Sequence, residues 1–129
     1  MYDSEATTQG VVIKVRSSFV SERSQPLEGR WFFAYRVLIS NAGSTPVQLL
    51  NRHWVITDAH GNVEEVRGPG VVGEQPVIAP GKSFEYTSFC PLVTPFGTME
   101  GSYEMIREAG DRFWAKIGKF ELSEELPVN

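Results

Sequence analysis

The residues best placed to do chemistry lie in one stretch, Glu65-Val66-Arg67-Gly68-Pro69-Gly70-Val71-Val72-Gly73-Glu74-Gln75-Pro76. Its glycines fall as Gly-X-Gly-X-X-Gly. That spacing cradles a diphosphate when a strand leads into the glycines and a helix leaves them. The N–H groups of Gly68, Gly70 and Gly73 would then form an anion nest, with Arg67 adding positive charge. The chemistry on offer is pyrophosphate or nucleotide binding.

The flanking elements argue against it. Val63 to Arg67 reads as the strand, but no helix follows. Pro76 and Pro80 break helical continuation, Gly81 comes next, and no apolar residues recur at helical spacing. Pro69 has no N–H and removes a donor. No Walker lysine follows the last glycine. A chain of 129 residues cannot hold the two lobes of a kinase. The preferred reading is a connector between strands, in which glycines take positive φ and let the backbone pass close to its neighbours. Nucleotide or pyrophosphate binding through Gly68, Gly70 and Gly73 is the alternative.

The bulk numbers narrow the classes. At this length residues 1–129 read as a single domain able to bury a core. The formal charge of -4 speaks against nucleic-acid binding, which rests on phosphate neutralisation. The start, Met1-Tyr2-Asp3-Ser4-Glu5, is acidic and lacks a signal-peptide run. No apolar stretch approaches the roughly 20 residues that span a bilayer. The expectation is a cytoplasmic protein with no membrane insertion. Cys90 is the single cysteine, which excludes an internal disulfide and a thiolate metal cage.

The elements that must position the glycine stretch read as strands. Val11, Ile13, Val15 and Ser17 alternate with Val12, Lys14 and Arg16. Trp31, Phe33, Tyr35, Val37 and Ile39 share a face of a strand rich enough in aromatic and β-branched residues to be central. Val47 to Asp58 is another long strand, with Leu50, Trp54 and Ile56 as core candidates. Asp58-Ala59-His60-Gly61-Asn62 turns the chain back into Val63 to Arg67. Phe84 to Cys90, Met99 to Ile106 and Phe113 to Leu122 complete the set, and Pro91 and Pro95 frame a loop. Residues 1–8 and 123–129 are expected to be flexible. About seven strands without a helix predict an all-β antiparallel sandwich, fibronectin type III-like because the disulfide of the immunoglobulin form is excluded.

The glycine stretch, then Ile78-Ala79-Pro80-Gly81, Phe84-Glu85-Tyr86-Thr87-Ser88, and Leu92, Thr94, Gly97, Met99, Gly101, Tyr103 and Met105, resemble the signature of the bacterial ApaG family. Asn51-Arg52-His53-Trp54-Val55-Ile56-Thr57-Asp58 and Gly61 fit the same pattern, so the resemblance covers nearly the whole chain. It implies a fibronectin type III-like sandwich and a label linking the family to cobalt and magnesium efflux. It also implies a part in protein contacts, as related domains have in an F-box protein and a polymerase-interacting protein. It implies no catalytic residues.

The remaining side chains support no enzyme. No serine sits in a Gly-X-Ser-X-Gly elbow. Cys90, before Pro91, reads as a small packed side chain. His53 is expected to face away from Trp54, half exposed. Asp58 and His60 read as turn residues rather than metal ligands. No cofactor and no metal site are expected, and an efflux role would be indirect. That leaves a protein-binding module, with a partner of unknown identity, a homodimer included. Arg67, Gly68, Gly70, Val71, Val72 and Gly73 are its candidate contact or ligand residues. One of Val71 and Val72 is expected to pack inward and the other not, while Phe96 and Tyr103 are expected in the core.

Overall fold

Two antiparallel sheets face each other across an aromatic core in the computed structural model, which describes residues 2–128. One sheet runs β1 (Ser4–Thr8), β2 (Val11–Phe19), β3 (Trp31–Asn41), β7 (Ser83–Leu92). The other runs β5 (Val63–Pro69), β4 (Val47–Asp58), β8 (Phe96–Arg107), β9 (Arg112–Ser123), with the short β6 (Val77–Ile78) also pairing to β4. This is the fibronectin type III-like sandwich that the alternation predicts, with nine strands rather than about seven.

The additions are β1, which has almost no apolar pattern, and β6, whose two residues are too few to show one. Ser4–Thr8, expected to be flexible, pairs residue for residue with β2 from Ser4↔Val15 to Thr8↔Val11. Main-chain pairing holds it, which needs no apolar side chain. The tail is also tied down: the Phe19 N–H donates to the Pro127 carbonyl at 3.1 Å, and Trp31 Nε1 donates to Glu124 Oε2 at 3.0 Å. Met1 and Asn129 lie outside the described residues.

Alternation places the core as expected along β2 and β3, where Val11, Ile13, Val15, Phe33, Val37 and Ile39 are buried. β3 is central, between β2 and β7. Trp54 of β4 is the hub. It meets Tyr35 of the facing sheet edge-on at 5.2 Å, and Tyr103 and Phe120 of its own sheet at 6.1 and 6.0 Å. Off-stacked aromatic pairs add about 0.5–1.5 kcal/mol each beyond burial.

The long β4 strand carries one irregularity near its start. Its pairing with β8 slips between Leu49 and Asn51. This bulge puts Leu49, rather than the expected Leu50, fully into the core, and leaves Leu50 half-buried. A bulge inserts one residue and reverses which neighbours face inward. Phe96, another expected core residue, stays 56% exposed at the start of β8, whereas Tyr103 is fully buried.

Candidate functional site

β5 and β6 share the same edge of β4. β5 leaves at Asn51↔Pro69 and β6 rejoins at Gln48↔Val77. The chain between them, residues 70–76, is an excursion opposite the bulge. The bulged Leu50 carbonyl accepts both the Gly70 N–H and the Gln75 side-chain amide, each at 2.9 Å. The Leu49 N–H donates to the Pro76 carbonyl at 3.0 Å. The bulge thus frees one acceptor, and the loop supplies its donors.

Within the excursion Val71 and Glu74 exchange both backbone bonds, at 2.9 Å each. Val72 and Gly73 form the two-residue tip, with φ of 43° and 81°. Positive φ at both central residues is the type I′ hairpin turn, whose right-handed twist matches its strands. Gly73 suits it. Val72 does not, because a β-branched side chain crowds its own backbone there. Gly70, with φ of 63°, is required for a second reason: a Cβ would lie 2.3 Å from the Glu74 carbonyl oxygen.

Arg52 locks this geometry. Its guanidinium covers Gly68, where a Cβ would come within 3.0 Å of Nη2. Its Nη1 donates to the Pro69 and Gly70 carbonyls at 2.9 and 3.0 Å. Bonds from a charged donor contribute about 1.5–3 kcal/mol each, enough to offset the ~1–2 kcal/mol of left-handed strain at Val72. Val71, only 1% exposed, adds an apolar anchor. In the sequence Arg52 stands only as part of the family pattern; its role follows from the strand register that sets it opposite Gly68.

The predicted site residues therefore part company. Gly68 belongs to β5, not to a loop. Arg67 bonds Glu65 at 3.2 Å, and Glu65 accepts the His53 Nε2–H at 2.7 Å. Arg67 is committed to this ion pair rather than to the glycines. No helix follows Gly73. The N–H groups of Gly70, Val71 and Glu74 are bonded within the fold. Only Val72 and Gly73 remain together at the surface, Val72 at 55% exposure.

The chemical candidates are occupied by structure. Cys90 is buried, and burial, with the Glu64 charge nearby, pushes its thiol up to about 12, far from a thiolate nucleophile. Burial would raise the Asp58 carboxyl, but the Asn62 backbone and side chain and the His60 N–H, all donating to it, hold it below the usual range. It closes the β4–β5 turn. Among the described residues no three His, Cys, Asp or Glu side chains converge as metal ligands, and no helix is long and apolar enough to cross a membrane.

The family model of the ApaG domain matches residues 21–107, from the first turn after β2 to the end of β8. The chain belongs to the ApaG family. It is 57% identical to a protein named ApaG from Methylobacterium radiotolerans over 118 residues, covering 92% of this chain and 91% of that one. It is 53% identical to an ApaG protein from Anaeromyxobacter dehalogenans, over 92% and 94% of the two chains. A crystal structure described as an ApaA protein from Bordetella pertussis superposes with a TM-score of 0.88 at 47% identity, covering 93% of this chain and 98% of that one. The ApaG signature read from the sequence is thus built around the excursion: Arg52 holds it, Gly70 closes it, and Val72 tips it.

Proposed function

We propose that this protein is a non-enzymatic, cytoplasmic protein-interaction module whose contact surface is the hairpin tip at Val72. The observation that carries this reading is the strained, exposed Val72. Residues held at unfavourable φ persist where the surrounding structure fixes them, and they cluster at functional sites. The turn would form more easily with asparagine, aspartate or glycine. A valine there gains nothing in the free protein, because its side chain reaches no core. It offers apolar surface on a rigid support, which lowers the entropy cost of binding.

A diphosphate reading finds less support, since three of the loop's N–H groups are bonded internally and its arginine is paired with Glu65. An indirect part in cobalt and magnesium efflux is compatible with the proposal, acting through a protein partner.

The test is affinity capture from native cytosol, comparing the wild type with Val72→Asp. Val71 is unsuited, because a charge there would be buried and would unfold the hairpin. The reading expects a discrete partner whose recovery falls at least about tenfold with Val72→Asp while the fold stays intact, in line with a contact of ~1.4 kcal/mol. Equal recovery by both proteins would overturn it.

A further inference from the structure

The sandwich is closed along one side and open along the other. β1 and β2 both pack on β9, whereas no comparable packing joins β5 to β7. Between these two edge strands runs a groove of about 280 Å³, floored by Trp54 and Met99 and walled by Arg52 of β4, Glu64 and Val66 of β5 and Phe89 and Pro91 of β7; Arg52 is engaged by the Pro69 and Gly70 carbonyls, to which its Nη1 donates. It continues into a hollow of about 180 Å³ that shares Ile56, Glu64 and Pro91 and ends at Val63 and Val93. Phe89, Val63 and Val93 are 45%, 61% and 68% exposed, so the rim is apolar as well. Phe89 is braced by stacking on Phe32 at 5.5 Å, with Arg23 over both rings.

The two edges are not equivalent. Pro91 removes an N–H from β7 and blunts it as a template. β5 has no proline from Val63 to Gly68. A strand added to β5 would point alternate side chains into the groove, past Glu64 and then Val66. The charge pattern specifies the partner further. Glu65 and Arg67, on the outer face, are paired with each other. Glu64, on the groove wall, takes part in no ion pair among the described residues.

We infer that the β5 edge and this groove bind an extended peptide by strand addition, with a lysine or arginine against Glu64 and an apolar side chain two residues on against Val66 and Trp54. This rests on the reading of the protein as an interaction module, but its surface is separate from Val72. The test is NMR titration of the ¹⁵N-labelled chain with the capped peptide Thr-Lys-Thr-Val-Thr-Val-Thr and with its twin carrying glutamate for lysine. The expected result is amide shifts along β5 and at Phe89 and Cys90, with the lysine peptide tighter by about fivefold and the order reversed by Glu64→Lys. The inference is overturned if neither peptide shifts β5 at millimolar concentration, if both bind equally, or if β5 shifts with protein concentration alone, which would mark a second copy as the occupant. A silent β5 leaves the Val72 capture result standing, and loss of capture leaves a β5 titration standing.

Discussion

Val71 and Val72 are neighbours in the chain and opposites in the structure. Val71 is 1% exposed and packs in the core, while Val72 is 55% exposed at φ 43°. The first contributes about 1.5–3 kcal/mol by burial. The second costs ~1–2 kcal/mol of backbone strain and buries little. The β1–β2 turn is built the same way, with Gln9 at φ 47° and Gly10 at φ 84°. There the strained residue is unbranched and polar. A valine in that conformation, in a protein of ~5–15 kcal/mol net stability, is a cost without a return inside the free fold.

The glycines of the stretch should prove unequal. Gly70→Ala forces a Cβ against the Glu74 carbonyl and should destabilise by more than about 2 kcal/mol. At Gly73 a Cβ meets nothing within 4 Å, so Gly73→Ala should cost only ~1 kcal/mol of φ strain. Urea denaturation of both variants measures this. Equal losses would contradict the structural reading of the hairpin.

Tyr86 of β7 and Tyr103 of β8 join their hydroxyls across the core. Burial raises both phenols, which stay protonated. Replacing either by phenylalanine strands the other hydroxyl in the interior, at about 1–3 kcal/mol. Tyr86→Phe with Tyr103→Phe removes both polar groups together. The double variant should lose clearly less than the sum of the singles in thermal or urea unfolding, and additive losses would refute the pairing.

The His53–Glu65–Arg67 cluster predicts an acid limb. The bond from His53 and then the charge of Arg67 hold the Glu65 carboxyl below the usual range. The unfolded chain therefore takes up this proton more readily. The stability it contributes is present above the ordinary glutamate value of about 4.3 and is lost as pH falls through the lower folded value. Glu65→Gln should flatten the fall in stability below that pH, read as urea midpoints, while Asp58 keeps a residual slope. An unchanged slope would show that the cluster contributes nothing.

The fold was legible because period-two burial writes itself into residue type. β4 spans Val47–Asp58, the range its pattern marks. What stayed hidden depends on backbone rather than side chains. Ser4–Thr8 offers one apolar residue, Ala6, so its pairing left no hydrophobic trace. The bulge that turns Leu49 inward and Leu50 aside changes nothing in composition. At the site, Pro76 and Pro80 announce the absence of a helix after Gly73, and none is there. The hairpin tip was illegible because a valine is among the last residues one would place at positive φ. Arg52 was overlooked in favour of Arg67, since only strand register reveals which arginine lies over Gly68.

The most direct test pairs stability with binding in one substitution. Val72→Asn, ahead of Gly73, installs the dipeptide that a type I′ turn prefers. The account predicts a rise of about 1 kcal/mol in unfolding free energy, together with loss of the partner that the wild type captures from native cytosol. A variant that is more stable and recovers the same partner in the same amount would contradict it.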